Sequence, residues 1–361
     1  MKEVCFIIPS YNGGGAERAT INIADELSLE EQVDVSLIVL DDEGPLKDEP
    51  ERVETVEFQH SRARYSLFDL WSCLNEIQPN AVFSTLQQTN ILVYLIDQLT
   101  CISWKTICML QNYYEKIVSQ ESFLISYLLT KSLEDADVVT ACSEGAAHNL
   151  IENSTVSKDD VRVIYNPIEI DNVQKLSHER VDEDAFHKHP VLLGCGRLEE
   201  QKGFSYFIEA LPEIQEVYPD AQIVLLGDGT LREDLEKQAK ELHINDSVHF
   251  FGFVDNPYKY MRAADVFVLS SLWEGFGNVV VEALACGTPI ISTDCPSGPG
   301  EILENGTWGT LIPTEDSSAI AESVRSVLQG NENFNRNGEK RAEDFRPAKI
   351  RNNYARVIDN A

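Results

Sequence analysis

Bases are scarce in this chain. Lys and Arg total 29 against 60 Asp and Glu over 361 residues, a formal net charge of −31. A surface so acidic repels nucleic acid phosphates and anionic lipid alike, which argues against nucleic acid as a partner. Long apolar runs are also missing. ILVYLI at 91–96 is about the longest, far short of the roughly 18 residues that cross a bilayer. The opening MKEVCFIIPS runs straight into a strand pattern without a cleavable signal. The expectation is a soluble, cytoplasmic protein, at most peripheral to the inner face of a membrane.

Other absences narrow the chemistry. The eight cysteines (5, 73, 101, 108, 142, 195, 286 and 295) form no CxxC pair and no Cys/His cluster, and several lie inside apolar runs, so they read as reduced core residues. His178, His187 and His189 have no carboxylate or Cys partner at ligand spacing and read as solvated side chains. There is no DxD at a strand end, and the first glycine loop lacks GxGxxG spacing. Neither a metal nor a nicotinamide cofactor is expected. The acid excess is scattered rather than gathered in a tail. Its self-repulsion fades in molar salt, where the Debye length is about 3 Å, so the composition suits a salt-loving organism.

What is present is an alternation of apolar strands and amphipathic helices, enough chain for two domains. VCFIIP at 4–9 is a buried-strand run followed by the loop SYNGGGAER and a helical pattern, a βα unit whose Gly13–Gly15 backbone could approach a phosphate. Further strands at 35–40, 81–84, 105–110, 138–141 and 161–168 complete a doubly wound domain over 1–168. An acidic, aperiodic stretch, 169–189, reads as a linker with room for a helical turn. The alternation restarts at 190 and runs to 339, and 340–361 reads as a helix returning to the first domain. Ligands in such sheets sit outside the carboxyl ends of the strands. The site is therefore expected in a cleft between the two domains.

The most informative stretch is SSLWEGFGNVVVE, 270–282. Gly275 and Gly277 allow a tight turn, Asn278 is a natural N-cap, and Glu282 falls about one turn into a helix. Glu274 and Glu282 would then face a common space at a helix N-terminus, where free N–H groups favour a phosphate. GRLEEQKG, at 196–203, adds Arg197 and Lys202 at a strand mouth, two cations suited to a diphosphate. The bland alternative has them paired with Glu199 and Glu200.

These stretches, with LLGDGTLREDLE, FFGFVDN, ADVFVLSSLWEGFGNVVVEALACGTPIISTD and PSYNGGGAER, resemble glycosyltransferase family 4 in order and spacing. The resemblance implies a retaining enzyme of the α/β GT-B fold, two Rossmann-like domains facing a central cleft, working without metal or cofactor on a nucleotide-sugar. DCPSGPGEIL at 294–303 further resembles members that transfer hexose or hexosamine from UDP-sugars to lipid-linked saccharides. Carried over, the resemblance implies that Arg197 and Lys202 grip the donor diphosphate and Glu282 binds the ribose. Glu274 would lie by the transferred sugar, with Val254 near the base. The backbone of Gly275, Phe276, Gly277 and Asn278 would cradle the distal phosphate, and Gly14 and Gly15 would close from the first domain. Proton transfer would fall to the donor phosphate, in a front-face attack. Alanine at Arg197, Lys202 or Glu274 is expected to abolish transfer and leave the fold intact.

One departure bears on mechanism. Where the family commonly carries a His at a first-domain strand end, this chain has Gln111, which can hydrogen-bond a sugar hydroxyl but cannot act as a base. His60 and His148 are stand-ins without local support. A catalytically silent nucleotide-sugar-binding subunit therefore stays open as a rival, and a sugar-nucleotide epimerase as another. FLISYLLTKSL at 123–133 reads first as a core helix, with an amphipathic helix at a membrane interface as the alternative.

Overall fold

The computed structural model describes residues 1–59, 66–100, 104–331 and 335–359; His60 and Cys101 lie outside the described residues. The chain folds as two compact units, Met1–Ile168 with Arg346–Ala361, and Glu169–Phe345.

The first unit is built on a seven-stranded parallel sheet. Its strands are β1 (Lys2–Ile8), β2 (Val33–Val39), β3 (Glu54–Glu57), β4 (Ala81–Thr85), β5 (Lys105–Leu110), β6 (Val138–Ala141) and β7 (Val161–Val163), in the order β3-β2-β1-β4-β5-β6-β7. β1 shows why the run is wholly apolar. Val4, Phe6 and Ile8 face one buried layer and Cys5 and Ile7 the other, so no side of the strand meets water. Phe6 stacks on Phe83 at 4.5 Å between ring centroids.

The helix Pro347–Asp359 completes that layer. Proline opens it, where no N–H is needed, and Ile350, Tyr354 and Val357 recur at helical spacing on its buried face. The Tyr354 ring lies 6.5 Å from Phe6 and 5.8 Å from Phe83. Lys2 and Lys105 donate to the last-turn carbonyls of Ile358 and Val357, at 2.9 and 3.0 Å, as cations do at the negative end of a helix. The return begins at 346 rather than 340: the short helix Gly338–Ala342 stays with the second unit.

The second unit repeats the plan with six parallel strands, β8 (Val191–Cys195), β9 (Gln222–Leu226), β10 (Val248–Gly252), β11 (Val266–Leu269), β12 (Ile290–Thr293) and β13 (Thr310–Ile312), ordered β10-β9-β8-β11-β12-β13. The order reverses between β8 and β11, which leaves a crevice at their carboxyl ends.

Two expectations need correction. The stretch 169–189 is no bare linker. Its residues Ile170, Val173 and Ser177 form the buried face of the helix Ile170–Ser177, which packs against the helices Tyr258–Ala263 and Asn278–Ala285. Asn256 Nδ2 donates to its Leu176 carbonyl at 2.9 Å. The helix Phe123–Glu134 is only half a core helix, since Leu129 and Leu133 are buried while Phe123, Leu124, Ile125 and Tyr127 are exposed.

The described cysteines are free thiols. Burial pushes Cys5, Cys108 and Cys286 up to about 12, so they are inert at neutral pH. His178, His187 and His189 each have a separate partner, the carbonyl of Gln174 and the carboxylates of Asp184 and Asp265. Among the described residues no helix is long and apolar enough to cross a membrane.

Because the buried Tyr354 ring packs against the stacked pair Phe6 and Phe83, Tyr354→Ala is expected to lower the stability of the first unit by about 3–5 kcal/mol. Urea unfolding followed by hydrogen exchange in each unit would measure this, with the second unit unchanged.

Candidate functional site

The crevice at the carboxyl ends of β8 and β11 is lined by their two loops, and side chains tie those loops together. After β8 the chain turns through Arg197 into a single 3-10 turn, Glu200–Lys202, closed by Gly203 at φ 57. A Cβ on Gly203 would stand 2.2 Å from the Ser270 carbonyl oxygen, so only glycine lets the loops approach this closely. Ser270 Oγ donates to the Lys202 carbonyl at 2.8 Å, and the Leu272 N–H to the Gln201 carbonyl at 2.8 Å. Gln201 Nε2 donates in turn to the Trp273 carbonyl at 3.0 Å.

At the centre, Lys202 Nζ donates to Glu274 Oε1 at 2.6 Å. The side chains are 14% and 6% exposed, so the pair is largely shielded from water. Ser271 Oγ donates to the same oxygen at 2.7 Å. Both bonds fall on Oε1, which leaves Oε2 to accept from a ligand hydroxyl. Lys202 therefore pairs across the crevice rather than with Glu199 or Glu200. Glu199 is bound instead by the backbone N–H and hydroxyl of Thr230, which hold its carboxyl below the usual range, helped by the charge of Arg197. Arg197 itself stands exposed at the loop.

The pair changes one expectation. Removing either partner strands a buried charge, which costs about 3–5 kcal/mol, so alanine at Lys202 or Glu274 does not leave the fold untouched. Arg197, being exposed, is the clean probe.

The turn after Glu274 leads into the helix Asn278–Ala285, with Gly277 at φ 94 as its N-cap. Asn278 is thus the first helical residue rather than the cap. Glu282 lies in the next turn, buried. Phe276 is 2% exposed and meets Phe345 edge-on at 5.5 Å, so its ring is a packing anchor and only its backbone can face a ligand.

In sequence, the segment 294–303 is read only for its resemblance, without the part its residues play in holding this turn. Ser297 Oγ donates to the carbonyls of Glu274 and Gly275 at 2.6 and 2.9 Å, and Thr293 Oγ1 to that of Ser271 at 2.5 Å. Gly298, at φ 81, has Phe276 O where its Cβ would be, at 2.0 Å. The signal was the cluster PSGPG immediately after an apolar strand.

The remaining expected residues belong to other elements. Val254 follows β10, separated from β8 by β9, beside the exposed Phe253. Gly14, Gly15 and Gln111 belong to the first unit. Gly14 caps the helix Gly15–Leu27, and the Glu17 carboxylate folds back to 2.1 Å from where a Gly14 Cβ would be. An acid already faces that helix N-terminus. Gln111 follows β5, and its Oε1 is buried without a hydrogen-bond partner among the described residues. His148 sits in the helix Glu144–Asn153, with no observed tie to Gln111. Among the described residues no group of three or more His, Cys, Asp or Glu is placed to hold a metal.

Two doubly wound units, one carrying an anion-suited crevice at its switch point, define the GT-B class. The structure of Anabaena Alr3699/HepE in complex with UDP and glucose shares the fold at a TM-score of 0.84 and 18% identity, covering all of both chains. The family model for Glycosyltransferase Family 4 matches residues 13–172 and that for Glycosyl transferases group 1 matches 177–344. The chain belongs to glycosyltransferase family 4. One relative is the N-acetylgalactosamine-N,N'-diacetylbacillosaminyl-diphospho-undecaprenol 4-alpha-N-acetylgalactosaminyltransferase of Campylobacter jejuni, 29% identical over 68% of this chain and 64% of its own length. A second C. jejuni enzyme, the GalNAc-alpha-(1->4)-GalNAc-alpha-(1->3)-diNAcBac-PP-undecaprenol alpha-1,4-N-acetyl-D-galactosaminyltransferase, is 26% identical over 99% of this chain and 98% of its own. In two other relatives the chain spans only 61% and 49% of the length.

Gly298→Ala is expected to loosen the Glu274 turn and destabilise the second unit by on the order of 3 kcal/mol, backbone strain and displacement combined. Gly330→Ala, with a similar φ of 70 but nothing within 4 Å of its Cβ, should cost only about 1–2 kcal/mol. Differential scanning fluorimetry on both variants makes the comparison.

Proposed function

We propose that this chain is a retaining, metal-independent hexosyltransferase that moves a hexose or N-acetylhexosamine from a UDP-sugar to a lipid-linked saccharide, at the cytoplasmic face of a membrane and in a salt-rich cell. The observation that carries the reading is the shielded Lys202–Glu274 pair at the β8/β11 switch point. Its support from relatives is that two of them are named for N-acetylgalactosaminyl transfer and for undecaprenol-linked diphosphate saccharides. A structural neighbour is described with UDP and glucose.

In this reading the nucleoside diphosphate is the leaving group, and fixed positive charge is what its departure needs. Lys202 and Arg197 neutralise the phosphates, joined by the N–H groups at Gly275, Phe276, Gly277 and Asn278 and the positive end of the helix they open. Glu274 Oε2 accepts from a hydroxyl of the transferred sugar, while Glu282 takes the ribose hydroxyls and Val254 packs by the base. The acceptor oxygen bonds to the anomeric carbon on the face from which the diphosphate departs, the anomeric C–O bond breaks, and the acceptor proton passes to the departing phosphate oxygen. Gln111, whose Oε1 awaits a donor, positions a sugar hydroxyl and takes no proton.

UDP at a hundredfold its dissociation constant should stabilise the wild type by about 2.7 kcal/mol, and Arg197→Ala should lose that gain with its own fold intact. Thermal melts with UDP, GDP, ADP and NAD decide this; stabilisation by NAD alone, or by no nucleotide, overturns the donor assignment.

Transfer by Arg197→Ala should fall about 10²–10³-fold, and NMR of the product should show the donor's anomeric configuration. Transfer that needs an added divalent ion, or an inverted product, rejects the mechanism. Nucleotide binding without transfer under any acceptor would favour the silent-subunit reading that Gln111 raises.

A further inference from the structure

The helix Phe123–Glu134 divides its apolar residues between two surroundings. Leu129 and Leu133 are buried with Cys108, Leu110 and Val139. In its first turn and a half, Phe123, Leu124, Ile125 and Tyr127 are 87%, 64%, 37% and 51% exposed. The other exposed large apolar side chains described stand singly along the chain; these four are gathered on one helix end.

Its place in the first unit is fixed by two bonds. Tyr114, just past the carboxyl end of β5, shares a hydrogen bond with Thr130 at 2.7 Å, and Ser126 Oγ donates to the Val118 carbonyl at 2.9 Å. From Thr130 the helix runs on towards the amino end of β6. The turn before it therefore projects at the carboxyl edge of the sheet, the edge that bears Gln111.

Charge sets this region apart. Over residues 86–133 the acids Asp97, Glu115 and Glu121 are matched by Lys105, Lys116 and Lys131, and the acids Glu134, Asp135 and Asp137 follow only at the far end of the helix. The flanking charges are also engaged: Glu121 accepts from Gln87 at 2.6 Å and Lys131 pairs with Glu134 at 2.6 Å.

We propose that this helix end docks on an uncharged lipid surface, with Phe123, Leu124, Ile125 and Tyr127 entering the boundary between headgroups and acyl chains. The proposal rests on the lipid-linked acceptor reading and adds the surface that meets the membrane. An apolar helix face of this kind seats about 5–10 Å deep in that boundary, and a locally neutral surface escapes the repulsion that the rest of the chain would meet. The four side chains offer on the order of 400 Å², about half of what each partner contributes to a stable protein interface. That area suits lipid better than a second copy of the chain.

The test is flotation of the full chain with phosphatidylcholine vesicles, without donor or acceptor, so its result is independent of any transferase activity. The wild type should float at both low and high salt. Phe123→Ser combined with Leu124→Ser should partition at least tenfold less, at an unchanged Tm. As a gain-of-signal readout, the emission of Phe123→Trp should shift to the blue on adding vesicles and be quenched by brominated lipid. A wild type that stays in the soluble fraction, a double variant that floats equally well, or binding confined to anionic vesicles at low salt overturns the proposal. So does a wild-type dimer that the double variant turns into a monomer, which would assign the patch to a second copy.

Discussion

The second unit is organised around a single ion pair. Lys202 and Glu274 are 72 positions apart in sequence and 2.6 Å apart in space, and they meet only because Gly203 lets one loop lie against the backbone of the other. A shielded pair of this kind adds little net stability compared with apolar packing, yet is costly to break. Its effect is to fix where a cation and a carboxylate stand before any ligand arrives. Preorganised charge needs no rearrangement when a leaving group develops its own. The surrounding bonds from Ser270, Ser271, Ser297 and Thr293 all end on the same two loops, so the geometry of the pair is held from several directions.

The two units share a winding plan but treat their glycine-rich turns differently. In the second, Gly277 opens a helix whose first turn carries no acid, so its N-terminal N–H groups keep their positive field. In the first, Glu17 sits in the first turn and folds over Gly14. A carboxylate at that position cancels the field that a phosphate would seek. Of these two helix N-termini, only the one in the second unit therefore has no acid in its first turn.

Much of the architecture was legible because buried parallel strands leave an unmistakable record: VCFIIP, VSLIVL and KTICML must be apolar on both faces. The site loops were legible as well, since glycine and charge cluster just beyond those strands. The partner of Lys202 was not, because nothing local links a lysine at 202 to a glutamate at 274 rather than to its neighbours Glu199 and Glu200; only the β8–β11 adjacency does. The helix Ile170–Ser177 was legible only as a helical turn in a linker, because its apolar stripe is short and set among acids, and its stability comes from the helices it packs on rather than from propensity. The packing of the Phe276 ring was not legible either, since its partner, Phe345, lies far along the chain.

The return of residues 346–361 to the first unit makes that unit discontinuous, with the whole second unit inserted between its parts. On the ribosome the usual order of assembly is therefore reversed. Glu169–Phe345 can close its core as soon as it emerges, whereas the first unit, although begun earlier, waits with Phe6 and Phe83 uncovered until Tyr354 has been synthesised. The half of the protein that is read first is the last to be finished.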